Sequence, residues 1–289
     1  MAVFRRGYER STGPLISPWQ RVFVIPRFVW PRVLSQRFGV VLLVASLFWP
    51  LACSVFVYFA NHLDLIRSNG GNAVAKMLSI NGSFFSVFMN VQSTFALILA
   101  AVAGPGLIAP DLANNALPLY FARPLSRWTY ILARMLVLLG ILSLVTLLPG
   151  LFVFGMQAGM AGRDWFVAHW TYGLGIVLGF LLWMATVSLV AMTASAYVKW
   201  RVVAGALVMA FFFVLAGVGQ IVNEVLRVQW GSLLNPGYLM LTIWGRLLGV
   251  ETPWEGGPDA VECMIALLVL MGALLALLLR KLRPVEVVS

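Results

Sequence analysis

Side chains able to do chemistry are sparse in this chain, and their spacing excludes most reactions. A phosphate-binding loop of the GxxxxGK[ST] type needs a lysine directly after glycine, so that backbone amides and an ammonium group hold the phosphates together. The three lysines, Lys76, Lys199 and Lys281, follow alanine, valine and arginine. ATP binding of that kind is therefore excluded. An elbow-type hydrolase needs GxSxG, which does not occur. A structural or catalytic zinc site needs clustered Cys and His. The two cysteines, Cys53 and Cys263, and the two histidines, His62 and His169, are too scattered for one. The histidines read as loop or interface residues. No catalytic, cofactor-binding or metal-binding residue is expected.

Two other groups of residues could act without covalent chemistry. The first is uncharged and polar. Asn90 and Thr94 are four apart, so on a helix they share a face, with Ser86 one turn back and Gln92 on another face. In an apolar environment such groups either line a watered pathway or bond a neighbouring helix. The second is the stretch APDLANNALPLYFARPLSRWTY, residues 109–130. Its apolar side chains, Leu112, Leu117, Leu119, Tyr120, Phe121 and Leu125, are framed by Asp111, Arg123 and Arg127, while Pro110, Pro118 and Pro124 restrict the backbone. An apolar patch rimmed by charge marks a docking surface, or else it folds back onto its own bundle.

What positions these residues follows from composition. Of the 289 residues, 61% are hydrophobic and 10% charged, and the mean hydropathy is +0.93. An ordinary soluble domain carries about 25% charged residues, and a soluble protein of this size could not hide so much apolar surface. A soluble enzyme, a disordered chain and a nucleic-acid-binding module are excluded. A helix crossing the roughly 30 Å hydrocarbon layer needs about 20 apolar residues. Stretches free of Asp, Glu, Lys and Arg predict six spans, at about 38–60, 84–108, 131–156, 167–195, 202–222 and 261–279. A seventh apolar run, 228–245, contains Asn235-Pro236-Gly237, which breaks a helix; a broken, re-entrant or interfacial element is expected there. Gly104-Pro105-Gly106 should bend the second span.

Basic residues accumulate in short cytoplasmic loops. Six spans with both termini cytoplasmic put fifteen of the 20 Lys and Arg inside, but only three of the 10 acids. Arg134, Glu224 and Glu262 are expected at interfaces, with long side chains snorkelling. Residues 1–37 form a basic cytoplasmic or interfacial segment before the six-span domain, 38–289. Within it, 15–37 interleaves arginines with Trp19, Phe23, Phe28 and Trp30, which suits a helix lying among headgroups. Pro26 and Pro31 predict a bend in that helix.

At the loop the chain resembles a known family. Ala109-Pro110-Asp111-Leu112, then Ala116-Leu117-Pro118-Leu119-Tyr120, then Arg123-Pro124-Leu125-Ser126-Arg127 and Tyr130 are similar to the first cytoplasmic loop of type-2 ATP-binding-cassette permeases. The resemblance implies an all-α integral membrane protein with six transmembrane helices, an N-terminal interfacial helix, a cytoplasmic coupling helix and a re-entrant element before the last span. It implies a permease subunit of an ATP-driven exporter in the bacterial inner (plasma) membrane, dimeric with itself or a related permease. ATP and Mg would be bound by a separate ATPase subunit that docks on Asp111, Leu112, Leu117, Tyr120, Phe121, Arg123, Pro124 and Arg127. Ser86, Asn90 and Thr94 are candidates to line the pathway. The alternative is a channel or facilitator working alone, consistent with the missing energy-coupling motif.

Overall fold

A computed structural model describes residues 18–62, 79–114, 126–250 and 256–282. They are helical, with no strand among them. In chain order the helices are α1 (Pro18–Leu34), α2 (Arg37–Asn61), α3 (Gly82–Ala103), α4 (Pro105–Ala113), α5 (Arg127–Val145), α6 (Leu147–Ala161), α7 (Arg163–Tyr197) and α8 (Arg201–Leu226). A 3-10 turn (Trp230–Leu234), α9 (Pro236–Leu247) and α10 (Ala260–Lys281) complete the order. Six helical stretches are long and apolar enough to cross a membrane: α2, α3 with α4, α5 with α6, α7, α8 and α10. This is the architecture of a multi-pass membrane protein.

Local chemistry sets the boundaries. Arg37, Arg127, Arg163 and Arg201 stand where apolar stretches begin. Asn81 caps α3 by accepting from the Phe84 amide at 3.1 Å, and Ser126 caps α5 by accepting from Thr129 at 3.1 Å. At the start of α10 the Glu262 carboxylate accepts from the Asp259 amide at 3.1 Å, half of a capping box. Gly104-Pro105 ends α3 and starts α4, with Gly104 itself keeping helical dihedrals (φ −58°, ψ −46°). The helix resumes at once, so residues 109–113 are helical and not loop. Pro26 and Pro31 both lie inside α1.

The core sits around α7. About 67% of its apolar window is buried, against 28%, 28% and 22% for α2, α8 and α10, which therefore form flanks. Its 35 residues, kinked at His169, follow a path of about 52 Å, more than a bilayer's hydrocarbon thickness. At one end its Tyr197 hydroxyl donates to the Leu277 carbonyl of α10 at 3.2 Å. At this end α2, α5 and α8 begin and α10 finishes, with Arg37, Arg127, Lys199, Arg201, Arg280 and Lys281 gathered there. We call it the basic end. The opposite end carries Arg163, Asp164, Glu224, Arg227, Asp259 and Glu262.

The run 228–245 is broken where Asn235-Pro236 stands. The 3-10 turn folds back on α8: a Cβ on Gly231 would stand 2.4 Å from the Gly219 carbonyl, and Asn223 donates to the Ser232 hydroxyl at 2.8 Å. α9 then runs back until the Leu248 carbonyl lies against Gly82, where α3 begins. The element thus returns to the end it left, and six crossings remain. Asn235 Oδ1 caps α9 by accepting from Gly237 (3.0 Å) and Tyr238 (3.3 Å). Asn235→Ala is expected to cost about 1 kcal/mol, read as faster exchange of those two amides and a lower melting temperature.

Candidate functional site

Two sites emerge, and both bear on the residues singled out in the sequence. The first is a clamp at the basic end. α4 and the start of α5 bracket residues 115–125. Asp111, in the last turn of α4, turns inward: its Oδ2 accepts from the Tyr130 hydroxyl at 2.6 Å and pairs with the Arg134 guanidinium. Tyr130 and Arg134 are one helical turn apart on α5 and face the same way. Tyr130 is fully buried and Arg134 is 6% exposed, with its guanidinium 5.4 Å from the centre of the Tyr130 ring. Arg134 therefore does not snorkel. Desolvating a guanidinium is costly, and a carboxylate within bonding distance offsets that cost. The i, i+4 spacing of Tyr130 and Arg134, with apolar Ala133, Val137 and Leu138 beside them, was the sequence signal for a buried pair.

The clamp also locates α4. Arg201 approaches Gln36 (Nη2 to Oε1, 3.4 Å), and a Cβ on Gly106 would stand 3.4 Å from the same guanidinium. Gly106 is thus level with the starts of α2 and α8, and α4 continues to Ala113, about 10 Å further. Leu112 is half-buried and packs on the core, Arg127 is half-buried at the first position of α5, and Trp128 beside it is exposed. Leu117, Tyr120, Phe121, Arg123 and Pro124 lie outside the described residues. α1 packs alongside: the Trp30 indole donates to the Val137 carbonyl at 3.1 Å and its ring lies over Gly140, while Phe23 and Phe28 remain exposed.

The second site is a polar flank on α3. This helix packs against α2, α7 and α8 and leaves one stripe outward. Asn90 and Thr94 are exposed on that stripe and Ser86 is half-buried. The Thr94 hydroxyl bonds the Asn90 carbonyl at 3.2 Å. Among the described residues the Asn90 side chain bonds no neighbouring helix. Gln92, two residues away, does that work: it is fully buried and its amide donates to the Ser46 carbonyl of α2 (3.1 Å) and the Val145 carbonyl of α5. Beside the stripe an open apolar groove of about 330 Å³ runs between α2 and α3, lined by Trp49, Ala52, Cys53, Phe56, Phe84 and Val87.

Chemically, this arrangement ties the end of α4 to the start of α5 and presents hydrogen-bonding groups at an otherwise apolar flank. No family model matches the chain, and no curated protein does.

Proposed function

We propose that the chain is the membrane-spanning permease subunit of an ATP-driven exporter, of the type-2 ATP-binding-cassette kind that its loop resembles. The observation that carries this reading is the clamp. Residues 115–125 are bracketed by two helix ends locked to each other through Asp111, Tyr130 and Arg134, at the end of the bundle where positive charge gathers. Helix ends tied together this way pass a push on to the bundle instead of absorbing it. In this reading the basic end is cytoplasmic, α1 lies at the membrane interface, and α4 with residues 109–127 forms the coupling knuckle on which a separate nucleotide-binding subunit docks. ATP and Mg belong to that partner.

The polar flank supports the rest. Asn90 and Thr94 left facing lipid would cost free energy that a partner or water would relieve. A second copy, or a related permease, set against this flank would enclose them in a pathway, with Ser86 at its margin. ATP binding closes the partner subunits, and the bundle rocks between inward- and outward-open states. The differential free energy comes from the nucleotide, because a ligand moves an equilibrium only by binding one state better.

The test is purification from native membranes. The chain should carry with it an ATPase subunit of about one domain. Arg127→Glu should weaken retention of that subunit roughly tenfold, the effect of losing one charge-assisted contact. Asn90→Leu should retain the partner but lose substrate stimulation of its ATPase. Passive flux through liposomes holding this chain alone, with no ATPase retained, would overturn the reading in favour of a facilitator.

A further inference from the structure

The junction between α3 and α4 has an unusual dependence on α7. Pro105 has no N–H to give, and Gly104, at the cap position, has no side chain to accept from α4's first amides. A helix start of this kind must find its partners elsewhere. The Leu107 amide bonds back to the Gly104 carbonyl at 3.0 Å, and the next two amides find Ser195, in the last turn of α7 and 1% exposed. The Ser195 hydroxyl accepts from the Ile108 amide at 3.2 Å and the Ala109 amide at 3.0 Å, and donates to the Pro105 carbonyl at 3.0 Å. One donor and two acceptor sites are all that a hydroxyl offers, so the whole of it is spent on α4. One turn earlier, Ala191 leaves no room at the cap: a Cβ on Gly104 would stand 2.6 Å from that of Ala191.

The other half of α7 is fastened as closely to α9. A Cβ on Gly175 would stand 3.1 Å from the Leu247 carbonyl, and one on Gly179 would stand 2.7 Å from the Trp244 ring. From Gly179 to Ser195 is about 24 Å of helix. The interior residue of α7 that departs from helical dihedrals is His169, which lies outside this stretch.

We propose that Ser195 is a pin which makes α4 move with α7 and not with α3, so that a displacement at the Asp111 end of α4 reaches the broken element at α9 through α7. The hinge is Gly104-Pro105; the rod is residues 175–195. Ser195 is a positioning residue, and this inference stands apart from the permease reading, because neither an ATPase nor a substrate enters it.

Amide exchange on the purified full chain in lipid nanodiscs tests it. Ser195→Ala should speed exchange of the Ile108 and Ala109 amides about tenfold, the effect of one lost hydrogen bond. Tyr130→Phe, which removes one bond to Asp111, should speed exchange of the Leu239 to Trp244 amides about fivefold, a usual size for coupling between distant sites. In the Ser195→Ala background the same Tyr130→Phe change should leave those α9 amides alone. Ser195→Cys keeps a donor and acceptor there, weaker and on a somewhat larger atom, and should give intermediate values on both readouts. The pin is overturned if Tyr130→Phe affects α9 equally with and without the Ser195 hydroxyl, or not at all in either, or if Ile108 and Ala109 exchange unchanged in both variants.

Discussion

Arg134→Met is expected to be among the most damaging single substitutions in the chain, lowering unfolding free energy by about 3–5 kcal/mol. The size follows from what remains behind. Met fills most of the volume of the arginine stem, so little packing is lost. Asp111, however, keeps a side chain only 14% exposed and loses the cation that made its burial tolerable. Asp111→Asn together with Arg134→Met should recover much of the loss, because neither buried charge then remains. Tyr130→Phe alone should cost less, about 1–3 kcal/mol, since it leaves the ion pair in place and removes one bond to it. Thermal melts of the detergent-solubilised chain, run as a double-mutant cycle over Asp111 and Arg134, measure this directly. Were the double variant as unstable as the sum of its parts, the pair would not be acting as a unit.

This cycle separates two roles that the sequence left merged. Asp111 and Leu112 read as part of a surface patch, and the structure folds both toward their own bundle; Arg127 is only half-buried. The reason is that the helix does not stop at the Gly104-Pro105 break. It restarts on a hydroxyl borrowed from α7, which no local pattern around residue 105 announces.

Elsewhere the sequence is more legible. Charge-free stretches of helical length marked the six long apolar helices, because only such stretches satisfy both the length and the solvation demands of a bilayer. Asn235-Pro236-Gly237 marked the broken element, because a proline and a capping asparagine act locally. Which face of an apolar helix points inward was far less legible. Gln92 and Asn90 are both polar and two residues apart, yet one is fully buried and the other exposed. In a helix that is apolar all round, the contrast between faces that betrays an amphipathic helix is missing. The departure from helical geometry at His169 was equally hidden, since no proline or glycine stands at that position. There the ring stacks on Trp165, 4.7 Å between centroids, with Nδ1 2.9 Å from the Trp165 carbonyl.

Gly205→Leu should match the loss at Arg134 by a different route. Near the start of α8, a Cβ on Gly205 would stand 2.5 Å from the Ala101 carbonyl of α3. The neighbour is backbone, in the last turn of α3, and has no rotamer to move into. Two effects then compete in the smaller change Gly205→Ala. Alanine is a better helix former than glycine by up to about 1 kcal/mol, whereas overpacking a tight contact costs about 1–3 kcal/mol. Apolar side chains gain nothing by leaving lipid for a helix interface, so close approach of small residues is itself the source of association. The steric loss should therefore win for alanine and grow for leucine, which forces α8 off α3 along its first two turns. Gly272 in α10 is the control: a Cβ there meets nothing within 4 Å. Gly272→Ala should be neutral or raise the melting temperature slightly, through helix propensity alone. Opposite signs for the same chemical change at the two positions are the expected result in a fluorescence melt. A Gly205→Ala protein melting at or above the parent would mean that α3 and α8 do not touch through this glycine.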